Sequence, residues 1–193
     1  AGHSNDIASA MAEMDDLAKT LEYLEGYVNN HPDTLLVLTA DHSTGGLTIG
    51  AKGKYQWHPE ILHKLKRSPE TIARSLVDKG ISQEKAQKLF NFPLTEEEMA
   101  LLQEAKKQGQ IKLAKYQALA KAEQEKQWQP SLYKVMRKAV TRILDQRTTT
   151  GWTTGGHTGV DVQVFAMGAG KALFSGHQDN TEIAKKIFTL LGK

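Results

Sequence analysis

The sequence predicts an α/β fold in which a mainly helical insertion interrupts a metal-binding body. Three observations carry this. A helix-period stripe of apolar residues runs directly into a short, continuously apolar segment, the pattern of half an α/β crossover unit. The middle of the chain then turns polar, helical and rich in Lys, Glu and Gln. Body-like segments return after it, with an alternating strand pattern and a closing amphipathic helix.

The first helix is expected over residues 4–29. Ile7, Met11, Met14, Leu17, Leu21, Leu24 and Val28 recur at steps of three and four, which puts them on one face. Ser4 or Asn5 can cap its start, because a short polar side chain accepts from an otherwise unpaired first-turn N–H. Asn29-Asn30-His31-Pro32 ends it. Residues 34–40 form a short apolar run between turn formers, which predicts a strand covered on both faces in a parallel sheet. A second β-like run, Leu47-Thr48-Ile49-Gly50, follows the Gly45-Gly46 turn.

Residues 1–51 and 148–193 read as the body, and 52–147 as the helical insertion with a return helix. Within it, residues 59–66, 69–79, 82–90 and 95–127 have helical patterns, with cap signals at Ser68-Pro69, Ser82 and Thr95-Glu96-Glu97-Glu98. The return helix, 131–147, turns Leu132, Val135, Met136, Ala139, Val140, Ile143 and Leu144 inward. A Thr/Gly-rich loop leads to His157, and residues 160–167 predict a strand. The last helix begins near Asp179-Asn180. It turns Ile183, Ala184, Ile187, Phe188 and Leu191 inward and stops at Gly192.

The 193 residues suffice for a buried core, and the 39% hydrophobic and 24% charged content is that of an ordinary globular domain. No run approaches the roughly 18–20 apolar residues of a membrane span. The absence of cysteine excludes disulfides and thiolate metal sites and leaves the compartment open. Ala1-Gly2-His3-Ser4 includes no basic region of a signal peptide, so the sequence is expected to be cut from a longer chain, with any export signal outside it. The net charge of +3 is uneven: residues 51–150 carry 20 Lys/Arg against 11 Asp/Glu, and the remainder 5 against 11. A basic middle can draw anions, but its signs alternate along helical stretches, as on a solvated surface. Aromatic and basic residues do not interleave, so no nucleic-acid partner is expected.

Asp41-His42 sits where the apolar strand ends, the position at which open α/β sheets bind ligands. Carboxylate oxygen and imidazole nitrogen both suit zinc, and Gly45-Gly46 lets the chain turn away. A capping Asp beside a buried His accounts for the pair equally well. His157 follows the Thr/Gly loop and His3 precedes a helix cap; singly, each is an ordinary loop or surface histidine. Together, three segments offer a His at an element boundary, and imidazoles with carboxylates but no thiolates suit a catalytic zinc with open positions. His31, His58, His63 and His177 read as structural or surface residues; His58 and His63 are five apart, off a common helical face.

Thr39-Ala40-Asp41-His42-Ser43-Thr44-Gly45-Gly46 resembles the TADH-x-TGG segment of alkaline phosphatases. Ala1-Gly2-His3-Ser4-Asn5-Asp6 is similar to the end of their ID-x-AGH-x-ND segment. Gly156-His157-Thr158-Gly159-Val160-Asp161-Val162 resembles their HTG-x-DV segment, followed by Phe174-Ser175-Gly176 and Asp179-Asn180-Thr181. The matches keep the family's order and span both ends of the chain.

This resemblance implies the C-terminal part of an alkaline-phosphatase-like α/β/α sandwich with a crown-like insertion, in a periplasmic or secreted enzyme that is a homodimer when full length. It implies hydrolysis of phosphate monoesters by two zinc ions. His3 and His157 match ligands of one zinc, Asp41 and His42 ligands of the other. The implied reaction is a double in-line displacement through phosphoserine. The family's serine nucleophile, phosphate-binding arginine, magnesium ligands and remaining zinc carboxylates match positions before Ala1, and Ser43 does not match the nucleophile. No catalytic residue is therefore expected within these residues, and the piece alone is expected to be inactive. A phosphomutase or sulfatase-like metalloenzyme shares the strand-end Asp-His pair, but Gly155-Gly156-His157-Thr158-Gly159 argues against it. A non-catalytic interaction fragment is the other alternative.

Overall fold

The computed structural model describes residues 1–192; Lys193, the last residue of the predicted body, lies outside the described residues. In chain order the elements are α1 (Ile7–Asn30), β1 (Leu35–Thr39), β2 (Ser43–Thr44), β3 (Leu47–Ile49), α2 (Pro69–Lys79), α3 (Gln83–Phe90), α4 (Glu96–Gln117), α5 (Lys121–Gln124), α6 (Leu132–Thr148), β4 (Thr150–Trp152), β5 (His157–Thr158), β6 (Val164–Gly168) and α7 (Asn180–Leu190). Short 3-10 turns occur at Gly2–Ser4, Pro59–Lys64 and Lys171–Phe174. The chain divides into two compact units, one of Ala1–Met11 with Gly45–Gly155, the other of Ala12–Thr44 with Gly156–Lys193. Among the described residues no helix is long and apolar enough to cross a membrane.

The first unit holds an apolar core made by the helices of residues 52–147. Ile72, Leu76, Phe90, Leu102, Met136, Val140, Ile143 and Leu144 are fully buried. α2, α3 and α4 start where their caps predict, and α6 has a cap of the same kind. The side chains of Ser68, Ser82, Thr95 and Ser131 each accept from the backbone N–H three residues on. Thr95 and Glu98 form a reciprocal capping box, in which Glu98 Oε2 accepts from the Thr95 N–H at 2.8 Å.

Glu98 also receives Arg147 from the last turn of α6. Arg147 Nε and Nη2 donate to the two carboxylate oxygens at 2.6 Å each, and Nη2 also donates to the Pro93 carbonyl at 2.8 Å. The guanidinium lies 4.7 Å from the Phe92 ring centroid. α6 then ends at Thr149, which takes a left-handed conformation (φ 61°), and β4 pairs antiparallel with β3, Leu47 opposite Trp152 and Ile49 opposite Thr150.

In the second unit β1 pairs antiparallel with β6, from Leu35 opposite Gly168 to Thr39 opposite Val164. Gly168 (φ 90°) is required there, because a Cβ would stand 2.1 Å from the Thr34 carbonyl oxygen. β2 pairs antiparallel with β5. Asp179 caps α7 by accepting from the Thr181 N–H at 2.9 Å.

Several local expectations are corrected. Asp6 rather than Ser4 or Asn5 caps α1, accepting from the Ser9 N–H at 3.0 Å, because Asn5 is left-handed (φ 49°) at the end of the preceding turn. β1 is half-buried and antiparallel rather than covered on both faces in a parallel sheet; an apolar run reports affinity for a sheet but carries no information on strand direction. Residues 59–64 form a 3-10 turn rather than an α-helix. The long helix expected to residue 127 stops at Gln117 and resumes briefly as α5. Val160 to Gln163 lie outside β6 despite their alternation. On α7 Phe188 is 55% exposed and its C-cap Leu191 64%, so the described residues leave part of the predicted apolar stripe open.

The Glu98–Arg147 pair is nearly buried on the carboxylate side, with side chains 11% and 25% exposed. Arg147→Met is expected to destabilise the chain by about 2–3 kcal/mol, below the ~3–5 kcal/mol of a fully buried pair, because Glu98 keeps its charge and loses its partner. Urea unfolding of the two proteins measures this.

Candidate metal centre

The second unit brings three sequence-predicted residues together. Asp41 and His42 follow β1, and His157 opens β5. His42 Nε2 and Asp41 Oδ2 lie 3.3 Å apart. Two ligands about 2.0–2.1 Å from one tetrahedral zinc stand ~3.3 Å apart, so the pair has the spacing of two donors on one ion. Asp41 Oδ1 also accepts from the His42 backbone N–H at 3.0 Å, which ties the carboxylate to its neighbour.

The other imidazole nitrogen is held by local chain. His42 Nδ1 lies 3.3 Å from the Ser43 carbonyl oxygen and 3.2 Å from Thr44 Oγ1. A proton on Nδ1, donated to the carbonyl, leaves the lone pair on Nε2, the nitrogen beside Asp41. The His157 ring stacks on His42 with centroids 3.5 Å apart and 19° between planes. The two histidines each have a ligand nitrogen within 4.8 Å of the other. The register Thr44 opposite His157 places the second ring there. Asp41 and His157 are exposed and His42 half-buried, so ligands can reach the donors. The donor set of two imidazoles and a carboxylate fits zinc in a catalytic rather than a structural site.

His3 belongs to the first unit, exposed on the turn before α1. There it lines a cavity of about 760 Å³. Residues of α6, β3 and β4 build much of the wall, Asp145 and Trp152 among them. Asp145 Oδ1 accepts from the Trp152 indole N–H at 3.2 Å. Burial pushes the Asp145 carboxyl up to about 7; the indole bond opposes this, Asp6 reinforces it and Lys52 weakens it. The sequence reading passed over Asp145, although an acid directly after the buried Leu144 on an amphipathic helix is a detectable signal.

Three of the remaining histidines, His31, His58 and His177, have local partners. His31 stacks on Tyr27 at 3.9 Å, and its Nδ1 lies 2.8 Å from the Tyr27 carbonyl oxygen. His58 lies 3.2 Å from Glu60, and the exposed His177 lies 3.7 Å from Asp161. Trp57, just before His58, donates from Nε1 to Thr150 Oγ1 at 3.1 Å.

Comparison with known proteins adds a second line of observation. The family model described as alkaline phosphatase matches residues 1–192. Alkaline phosphatase 3 of Bacillus subtilis is 38% identical over 195 residues, which cover 99% of this chain and 37% of that protein. The repressible alkaline phosphatase of Saccharomyces cerevisiae is 30% identical over 203 residues, covering 96% of this chain and 33% of that protein. The crystal structure of a cold-active alkaline phosphatase from a psychrophilic Shewanella species superposes with a TM-score of 0.80 at 44% identity, covering 100% of this chain and 43% of that one. The chain thus spans well under half the length of these relatives.

The raised Asp145 carboxyl gives stability a pH dependence. Its folded value near 7 exceeds the ordinary 3.8, so its stabilising contribution is complete below about pH 4 and is lost as pH rises through about 7. Asp145→Asn keeps an acceptor for Trp152 and removes the titration. Relative to wild type, its Tm is expected to improve by about 2–8 °C between pH 4 and pH 8, allowing for solvent screening. Thermal melts across that range check this; parallel Tm profiles for the two proteins contradict it.

Proposed function

The chain belongs to the alkaline phosphatase family and shares its fold over the matched length, and from this premise we propose that it carries part of a two-zinc centre that hydrolyses phosphate monoesters. The observation that supports the reading most directly is the 3.3 Å approach of Asp41 Oδ2 and His42 Nε2 beyond β1, in a chain matched by the family model over residues 1–192.

Asp41 and His42 are the proposed holders of one zinc, His3 and His157 of the other. Zinc bound by such groups supplies Lewis-acid stabilisation of the charge that develops in phosphoryl transfer. The chain's own contribution is orientation. Ser43 and Thr44 hold the His42 ring through Nδ1, and the tautomer with its proton on Nδ1 has Nε2 as the ligating nitrogen. Asp41 adds negative charge beside it, which strengthens the site for a cation. Neutral imidazole is the ligating form, so cation affinity falls as pH drops below the ordinary histidine range.

The reaction is proposed to pass through phosphoserine, with the serine supplied from outside these 193 residues. The magnesium ligands are placed outside them as well. A homodimeric enzyme exported to the periplasm or beyond is the matching proposal for the whole protein.

Two measurements test this. Zinc titration against a chromophoric chelator is expected to show binding by the chain that weakens about tenfold or more in Asp41→Ala and His42→Ala; unchanged affinity in both variants overturns the ligand assignment. The 193-residue chain loaded with zinc is expected to leave p-nitrophenyl phosphate unhydrolysed, since its carboxylate and imidazoles bind and orient but provide no serine nucleophile. Turnover at rates usual for an enzyme, on the order of 1 per second or faster, overturns the placement of the nucleophile.

A further inference from the structure

We infer that Thr44 is a positioning residue for the proposed metal centre: its hydroxyl helps to hold the proton of His42 on Nδ1, which leaves Nε2 open to a cation beside Asp41. The inference rests on the metal reading above for what occupies the centre; the place of the proton is a property of the chain without metal. Asp41, His42, Thr44 and His157 all belong to the second unit.

A neutral imidazole carries one proton, and the groups around its two nitrogens compete for it. At Nε2 stands the Asp41 carboxylate, with Oδ2 3.3 Å away. Ionised, it can only accept, and acting alone it would draw the proton to Nε2 and close that nitrogen to a metal. At Nδ1 stand two oxygens, the Ser43 carbonyl at 3.3 Å and Thr44 Oγ1 at 3.2 Å. The carbonyl also accepts only, so a lone pair on Nδ1 would face a lone pair on that oxygen. With the proton on Nδ1, carbonyl and hydroxyl share it as a three-centre bond. The charged acceptor is the stronger one singly, so both oxygens at Nδ1 are needed against it. The hydroxyl is the part of this balance that a side chain supplies.

Local structure keeps that hydroxyl in place. Thr44 is the half-buried second residue of β2, and a β-branched side chain has few χ1 positions open to it. Its main chain pairs with His157 across β2 and β5, and the His157 ring stacks on His42. One residue thus ties both imidazoles, His42 through its side chain and His157 through its backbone. Among the described residues the Thr44 hydroxyl makes no other hydrogen bond, so its removal acts on His42.

Long-range proton–nitrogen NMR correlation reads the tautomer directly. The chelator-treated chain is measured at about pH 8.5, above the ordinary histidine range, where the imidazole is neutral. The His42 signals are identified by their loss in His42→Ala. The wild-type ring is expected to hold mainly the Nδ1–H form. Thr44→Val keeps the side-chain shape and the backbone pairing, and is expected to move the ratio at least about threefold toward Nε2–H. Zinc affinity of the same variant, measured by chelator competition, is expected to fall about tenfold, because a proton on Nε2 must leave before the nitrogen can bind. Thr44→Ser keeps the hydroxyl and is expected to retain most of both properties. A merely structural Thr44 would lower Tm in Thr44→Val and leave the tautomer ratio alone. A ratio that is unchanged, or that moves toward Nδ1–H, overturns the inference, and so does unchanged zinc affinity in a chain that binds zinc. A wild-type chain that binds no zinc overturns the metal reading instead, and the metal-free spectra then still decide what Thr44 does to the proton.

Discussion

Glu98 is the group on which the first unit depends. Its carboxylate closes the capping box of α4 and clamps Arg147 at the end of α6. Arg147 in turn holds the Pro93 carbonyl and covers the Phe92 ring. One nearly buried charge therefore fixes two helix ends and the loop between α3 and α4. Such a carboxylate is tolerable only because it accepts from both a backbone N–H and a two-pronged guanidinium. With those ends fixed, α2, α4 and α6 can pack Ile72, Leu102, Met136 and Ile143 without exposure to water. The position of β4, three residues beyond Arg147, follows from the same anchor.

From that frame the cationic face of α6 gains its meaning. The stripe that buries Met136, Val140 and Ile143 forces Arg137, Lys138 and Arg142 away from the core, toward the cavity that β3 and β4 help to line. Asp145 is the exception on that helix: it lies one residue past the buried Leu144 and is drawn far enough from water to hold its proton near neutrality. The second unit solves a different problem. There β1 delivers Asp41 and His42 to the end of a strand, and the short pairing of β2 with β5 sets His157 against the His42 ring. No long side chain is needed for this, because backbone register does the positioning.

Much of this was legible beforehand for reasons that can be named. Caps at Ser68, Ser82 and Thr95 are local, so three or four residues suffice to specify them. The buried face of α6 follows from period alone. Asp41, His42 and His157 stood out because their residue types and element-boundary positions suit a metal, and because their motifs resemble those of one family. Where the reading missed, the competing interaction was not local. Asp6 displaced Ser4 and Asn5 as the cap because a tight turn precedes α1. The apolar stripe of α7 promised more burial than Phe188 and Leu191 receive, since a stripe states what a helix could cover and not what lies against it.

By itself, the sequence determined the alternation of strand and helix, the helix starts and faces of the insertion, and the identity of the candidate ligands. These depend on side-chain type and spacing within a few residues. Tertiary structure decided that β1 runs antiparallel to β6, that His157 stacks on His42, and that Glu98 meets Arg147 across 49 positions of chain. It also decided that Asp145 is desolvated beside Trp152, in a cavity that Lys52 and Arg142 also line. Each of these is a contact between segments far apart in the chain, or an effect of burial, and neither follows from local periodicity because both require the path of the backbone in space.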